Sequence, residues 1–256
     1  MLQTQRQIEI LNKLKENPAL TTKQLAQELK VSEMTIRRDF NDLVQQGLII
    51  REHGGAMLPH QTINQFTDQM MEKKLRLNVG SKEAIAKAAC ELIKEGDCVL
   101  IDSGTTTLAL LPYLHNKKIT IVLYSDLTLR NLPKFAGDVI LLGGSYNFDA
   151  RITYGPICLS TLQRFNFDIC FLSCIAINTE NGAVFTAEMA SAQLKESSMS
   201  RSNQKVLMSD YSKFDQNGFY HFAQIDDFDY IFTDYSGDLE KFKERTTVVV
   251  VDRKDK

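Results

Sequence analysis

Three short stretches of helical periodicity open the chain. Ile8, Leu11 and Leu14 recur every three residues and predict a helix ending before Asn17-Pro18. Thr21 can cap a second helix while Gln24 reaches back to it, and Leu25, Ala26 and Leu29 are its apolar positions. After Lys30 and Val31, Ser32 caps a third helix whose stripe is Ile36, Phe40, Leu43 and Val44, and Gly47 ends it. Leu48-Ile49-Ile50-Arg51 and Ala56-Met57-Leu58 flank the turn His53-Gly54-Gly55, which predicts a small hairpin.

Two helices joined by so tight a turn, with a third to pack against and a hairpin behind, make a winged helix-turn-helix. The later helix of such a pair enters the DNA major groove with its N-terminal residues toward the bases. Glu33, Thr35, Arg37, Arg38 and Asn41 point away from the apolar stripe, and arginine, threonine and asparagine can bond phosphates or base edges. A solvated helix face gives the same pattern. Arg51 and His53 near the hairpin tip could touch phosphate, and Gly54 and Gly55 would let backbone approach DNA closely. The candidate DNA-contacting set is Thr22, Ser32, Glu33, Thr35, Arg37, Arg38, Asn41, Arg51, His53, Gly54 and Gly55.

The run Val31-Ser32-Glu33-Met34-Thr35-Ile36-Arg37-Arg38-Asp39-Phe40, then Leu43, Gly47-Leu48-Ile49, Arg51 and His53-Gly54-Gly55-Ala56, resembles the signature of the DeoR family of bacterial transcriptional regulators. Asp39 belongs to that pattern, and its spacing leaves open whether it orients an arginine or sits in water.

Beyond the hairpin, Pro59 to about Thr67 is polar and aperiodic and reads as a linker, and Asp68 to Asn78, with Met70, Met71 and Leu75, as a connecting helix. A helix from Ser81 carries Ile85, Ala88, Ala89, Leu92 and Ile93 on one side, and Gly96 stops it. Seven apolar runs follow, at Cys98–Ile101, Ile119–Leu123, Val139–Leu142, Ile169–Leu172, Val206–Met208, Tyr230–Phe232 and Val248–Val251. Helical stretches are expected between several of them, at Thr106–Leu114, Pro156–Gln163, Ala187–Met199 and Leu239–Lys243. Strands that are apolar throughout belong in sheets covered on both faces, and the alternating order implies a mostly parallel, Rossmann-like sheet. The expected architecture is a two-domain α+β chain: a winged helix-turn-helix over 1–58, a linker and connecting helix over 59–80, and an α/β effector and oligomerisation domain over 81–256.

Ligands of such sheets bind beyond the carboxyl ends of the strands. The first such loop, Asp102-Ser103-Gly104-Thr105-Thr106-Thr107, offers hydroxyls and a tight turn suited to phosphate, although a loop that merely caps a helix has the same composition. Gly143 and Gly144 end another strand. In Asp210-Tyr211-Ser212-Lys213-Phe214, Lys213 could neutralise a phosphate while Asp210 accepts hydroxyls, and a solvated lysine is the alternative.

From about Lys82 to Lys213 the chain is similar to the effector domain of the same family, which resembles ribose-5-phosphate isomerase-type folds. The matching residues are Lys82, the Asp102 loop, Gly143-Gly144, Gly155-Pro156, Phe167-Asp168, Lys195, Asp210 and Ser212-Lys213-Phe214. The resemblance implies a phosphorylated sugar or related metabolite bound by Asp102, Ser103, Gly104, Thr105, Thr106, Thr107, Ser125, Asp126, Gly143, Gly144, Lys195, Asp210 and Lys213. There are departures: Ser173-Cys174-Ile175-Ala176-Ile177-Asn178 replaces a glycine-containing turn, and Ser125 stands where many members have asparagine. Both changes are expected to narrow or recharge the pocket.

Composition changes the picture little. The net charge of −2 does not favour nucleic acid by itself, and residues 1–60 hold 8 basic against 7 acidic side chains, so the case rests on placement. Five scattered cysteines, an odd number and mostly in apolar runs, are expected to be reduced, with no structural metal and no cofactor. The longest apolar run, Ile169 to Ile177, falls short of the roughly 18 residues a membrane span needs, and no signal-peptide pattern opens the chain, so a cytoplasmic protein is expected. The expected function is a DNA-binding regulator, a repressor of a carbohydrate operon, which binds double-stranded operator DNA as a homo-oligomer under the control of a phosphorylated sugar. Two alternatives stay open: an effector domain that is only a dimerisation scaffold, and a sugar-phosphate isomerase using Asp102, Asp126, Glu188 or Asp210 as base.

Overall fold

A computed structural model describes residues 3–16, 19–52, 55–57, 71 and 73–252. The chain divides into two compact units, 1–74 and 75–256. The linker expected over 59–67, residues 68–70 and 72 of the connecting helix, and His53 and Gly54 lie outside the described residues; 73–76 are helical and 77–78 form a turn.

In the first unit, α1 (Gln3–Glu16), α2 (Thr22–Glu28) and α3 (Glu33–Gln45) pack on a three-stranded antiparallel sheet. Its strands are β1 (Ala19–Thr21), β2 (Ile50–Glu52) and β3 (Gly55–Met57), with β3 in the centre. The hairpin and three helices are as the sequence predicts; β1 is an addition. Ile10, Leu14, Leu25, Ile36, Phe40 and Leu43 form the core. The inner face of α1 differs from the expected one. Ile8 is 54 % exposed and Ile10 fully buried, because a four-residue step from Ile10 to Leu14 follows the helical repeat better than the three-residue series from Ile8. Val44, expected in the stripe of α3, is also exposed.

The second unit is built on a seven-stranded, wholly parallel sheet. In chain order its strands are β4 (Cys98–Ile101), β5 (Thr120–Leu123), β6 (Asp138–Leu141), β9 (Phe167–Leu172), β12 (Ser202–Met208), β14 (Tyr230–Thr233) and β15 (Thr247–Val250). All seven apolar runs of the sequence are these strands. Alternate residues explain their uniform apolarity. Val99, Ile101, Ile121, Leu123, Ile169 and Phe171 join one core with Ile85, Ala86 and Ala89 of α4 (Val79–Ala89). Leu100, Val122, Cys170 and Leu172 join the other, with Cys158 and Leu162 of α7 (Gly155–Leu162) and Ala192 and Leu194 of α8 (Met189–Ser200).

The spatial order is β15-β14-β12-β9-β4-β5-β6. The chain runs outward from β4 to β6, then returns to β9 and runs the other way. The order therefore reverses between β4 and β9, and the crevice above their carboxyl ends is where such sheets take ligands. Around it stand the hairpin β7 (Ser145–Asn147) and β8 (Ile152–Tyr154), and an antiparallel sheet of β10 (Ala176–Ile177), β11 (Ala183–Thr186) and β13 (Tyr220–Gln224). The helix expected over Thr106–Leu114 is broken into α5 (Thr105–Leu108) and a 3-10 turn at Leu111–Tyr113, where Pro112 removes a donor. Leu239–Lys243 likewise holds only a 3-10 turn, Glu240–Phe242. A further helix that the periodicity does not predict, α6 (Asp126–Asn131), follows β5.

Candidate DNA-reading face and ligand crevice

Caps fix the two helices of the DNA-reading pair. Thr21 Oγ1 accepts from Gln24 N at 3.2 Å while Thr21 N donates to Gln24 Oε1 at 2.9 Å, a capping box that starts α2. Ser32 Oγ accepts from Thr35 N at 3.1 Å and starts α3, and Gly47, at φ +71°, ends it. Ser32 and Thr35 are therefore engaged with each other. Arg37, Arg38 and Asn41 are exposed on the side opposite Ile36, Phe40 and Leu43, and Met34, outside the candidate set, is 66 % exposed between them. Glu33 is also exposed, 3.8 Å from Arg37. Arg51 Nη1 donates to Asn41 Oδ1 at 2.7 Å and ties β2 to α3.

Two candidates stand elsewhere than expected. Thr22 is 4 % exposed and belongs to the interior of the unit. At Gly55 an added Cβ would lie 2.3 Å from Leu20 O, so the missing side chain serves the close pairing of β3 with β1 rather than an approach to DNA. Asp39 is buried and bonded to Arg6 of α1, a partner 33 positions away that no local spacing could reveal.

In the second unit, the crevice between β4 and β9 is closed at its floor by a buried charge network. Asp102 follows β4 and is fully buried. Its Oδ2 accepts from Lys195 Nζ, from Ser173 Oγ and from Ser173 N at 3.0 Å, and its Oδ1 from Tyr124 OH at 2.6 Å and Ser103 Oγ at 3.4 Å. Lys195 Nζ also donates to Ser173 O at 2.9 Å. Burial alone would raise the Asp102 carboxyl, but the Lys195 ammonium and the bonds from Lys195, Ser173 and Tyr124 outweigh it and hold it below the usual carboxylate value. Burial and the neighbouring Asp102 push Tyr124 well above the usual phenol value. Asp102 and Lys195 thus satisfy each other. Tyr124 and Ser173 complete the set, and only Ser173 stood out in the sequence, as a departure from the family pattern.

The remaining loop residues divide by exposure. Thr107 is buried, donating to Asp102 O at 3.0 Å and Gly104 O at 2.8 Å, and Thr106 is buried as well. Ser103, Gly104 and Thr105 are half-buried and line the opening. A Cβ on Gly104 would fall 1.9 Å from Ser173 Oγ, so the serine side chain fills the space over the glycine. Ser125 is buried and caps α6 through Thr128 N at 3.4 Å. Asp126 accepts from Tyr146 OH at 2.6 Å and pairs with Arg130 at 2.9 Å and Arg151 at 3.6 Å, which pins the β7–β8 hairpin beside the crevice. Gly143 has open space around it, whereas a Cβ on Gly144, at φ +148°, would meet Tyr154 O at 2.6 Å.

The loop after β12 forms a second cluster. Asp210 is fully buried, and its Oδ1 accepts from Ser212 N at 3.0 Å and Asn78 Nδ2 at 2.9 Å. Its Oδ2 is buried with no hydrogen-bond partner among the described residues. Lys213 is half-buried in the following 3-10 turn. Asn78, at φ +52° just before α4, was not singled out in the sequence; an asparagine before a helix is a weak signal by itself. Burial raises the Cys174 thiol to about 11, which keeps it a protonated, inert group beside Ser209. All five cysteines are unpaired, and no group of three or more metal-ligating side chains is placed to hold a metal ion among the described residues. Nor is any described helix long and apolar enough to cross a membrane.

Comparison with known proteins agrees with both halves of this arrangement. The family model described as a DeoR-like helix-turn-helix domain matches residues 6–62, and that of the DeoR C terminal sensor domain matches residues 77–235. The HTH-type transcriptional regulator GlpR of Haloferax volcanii is 32 % identical over 98 % of both chains. The HTH-type transcriptional repressor GlcR of Bacillus subtilis is 30 % identical over 91 % of this chain and 89 % of its own. The glycerol-3-phosphate regulon repressor of Escherichia coli is 30 % identical over 91 % and 92 %. Among solved structures, ribose 5-phosphate isomerase A of Methanocaldococcus jannaschii aligns over 54 % of this chain and 55 % of its own, at 15 % identity and a TM-score of 0.41. With a reading helix capped and exposed at one end of the sequence and a parallel-sheet sensor domain at the other, the chain belongs to the DeoR family of transcriptional regulators.

Proposed function

We propose that this protein is a repressor of a carbohydrate operon whose affinity for its operator is set by a phosphorylated sugar bound over the carboxyl ends of β4, β9 and β12. The DNA-reading part rests on the exposed arc Arg37, Arg38 and Asn41, opposite the buried stripe of α3 and braced by Arg51. Those side chains supply phosphate neutralisation and base-edge bonds. A homodimer or higher oligomer suits the reading, since one helix contacts few bases and two-fold symmetry doubles the site. Such a protein acts where its DNA is, in the cytoplasm.

The observation that carries the ligand part is the unpartnered Asp210 Oδ2, in the loop after β12 that also holds Lys213. A buried acceptor without a partner is costly, and a sugar hydroxyl would satisfy it while Lys213 with Ser103 and Thr105 holds the phosphate. Asp102 and Lys195 shape the floor rather than touch the ligand. The name of the Escherichia coli relative, which ties it to a glycerol-3-phosphate regulon, supports a phosphorylated polyol or sugar as the class. Sensing rather than turnover is favoured because Asp102 is saturated with donors and held ionised by Lys195, which makes it a weak proton acceptor.

One observation favours a second reading, in which the sensor domain is only an assembly scaffold: Ser173 fills the space over Gly104. A thermal-shift screen against sugar phosphates, with free sugars and inorganic phosphate as controls, separates the two. A ligand at about 100 times its Kd adds roughly 2.7 kcal/mol and raises the melting temperature measurably. A selective rise is expected; a flat panel would favour the scaffold.

A further inference from the structure

The face of α1 that packs against α3 changes character along its length. Ile10 and Leu14 are fully buried in the common core, but one to two turns earlier the same side presents Gln3, Arg6 and Gln7. Opposite them α3 places two carboxylates. Arg6 Nε donates to Asp39 Oδ2 at 2.5 Å and Nη2 to Asp39 Oδ1 at 3.0 Å, a two-pronged bond. Gln3 and Gln7 donate to Asp42 Oδ2 at 2.6 and 3.3 Å. Asp39 is 1 % exposed, and the bond to it raises the Arg6 guanidinium.

On the wheel of α3, Asp39 lies across the helix from Arg37, Arg38 and Asn41, so it acts on DNA only through the helix it anchors. A buried ion pair adds little net stability over a well-packed apolar pair, because desolvation offsets the attraction. Its distinctive property is geometry. Apolar ridges tolerate small slides and rotations, whereas a planar guanidinium bonded at two points to one carboxylate admits a single orientation. Here that orientation is transmitted to a helix whose exposed side chains must meet base edges within hydrogen-bond distance.

We propose that Arg6, acting through Asp39, is a positioning residue for DNA reading: the pair sets the rotation and height of α3, and with them sequence discrimination, without touching DNA. The proposal rests on α3 being the reading helix. Loss of the pair should weaken sequence-specific binding while sparing the non-specific part, which depends on phosphate neutralisation by Arg37 and Arg38 and needs no fixed pose.

The test uses the full-length protein and two duplexes, one selected by the wild type from a randomised pool and one of the same composition scrambled. Arg6→Met combined with Asp39→Leu replaces the pair with apolar side chains of similar volume, and Arg6→Lys keeps the charge but removes the fork. Both variants are expected to lose about tenfold or more in affinity for the selected duplex, as for a mismatched base pair, with the scrambled duplex bound within about twofold of wild type. The double variant should melt near the wild-type temperature. A wild-type ratio of the two affinities in the double variant, or in Arg6→Lys should the double variant not fold, overturns the proposal. So does an equal loss on both duplexes that follows a fall in melting temperature. A wild type that selects no duplex removes α3 as the reader, and this inference with it.

Discussion

Removing the Lys195 ammonium would strand Asp102, a fully buried carboxylate, without its counter-charge. Breaking one side of such a pair typically costs about 3 to 5 kcal/mol, so Lys195→Ala should lose stability on that scale in a denaturant titration. The same pair gives a pH signature. The Asp102 carboxyl is held below its ordinary value of about 3.9, so its stabilisation is fully present above about pH 4 and fades as pH falls through the folded-state value. Asp102→Asn should therefore be less stable than wild type at neutral pH, with the gap narrowing at pH 3. A gap independent of pH would show that the carboxylate is not ionised in the folded protein. On the DNA-reading side, Arg37→Ala and Arg38→Ala should each weaken operator binding and flatten its salt dependence by about one unit of slope if the lost contact is to phosphate. Unchanged affinity in both would displace the reading helix from the groove.

Contacts between elements carry the next set of expectations. Gly104 and Ser173 come from the ends of adjacent strands, β4 and β9, and the glycine has no Cβ because the serine side chain fills that space. Gly104→Ala should destabilise the sensor domain, and adding Ser173→Gly should recover part of the loss, giving a double-mutant interaction energy on the order of 1 to 3 kcal/mol. Strict additivity would mean that the two do not meet. This scale also divides what the sequence discloses from what it hides. The seven parallel strands were legible because the apolar runs of the five inner ones are buried on both faces, and the edge strands β6 and β15 carry the same kind of run although they are partly exposed. The reading pair was legible because Thr21 with Gln24 and Ser32 with Thr35 are local caps. Strands β1, β7, β8, β10 and β11 were not, since two to four residues are too few to show a period, and β1 in addition pairs with β3, on the far side of α2, α3 and β2 in the sequence. The crevice was legible as a place, at the strand ends, but not as chemistry. That Asp102 is closed by Lys195 at a separation of 93, or Asp210 by Asn78 at 132, depends on the fold alone.

At the scale of the whole molecule, one chain carries both proposed activities: DNA reading by α3 and ligand sensing over β4, β9 and β12. Coupling between such sites is typically about 1 to 3 kcal/mol, or roughly 5- to 150-fold in affinity, and it is reciprocal, so operator DNA must alter the affinity for the sugar phosphate by the same factor. The most direct measurement is the affinity of the full-length protein for its selected duplex, with and without the sugar phosphate that raises its melting temperature, in the wild type and in Thr105→Ala/Lys213→Ala. A shift of at least about fivefold is expected in the wild type and none in the double variant, whose affinity for DNA without ligand is unchanged. The same shift in both, or none in the wild type, would contradict this coupling.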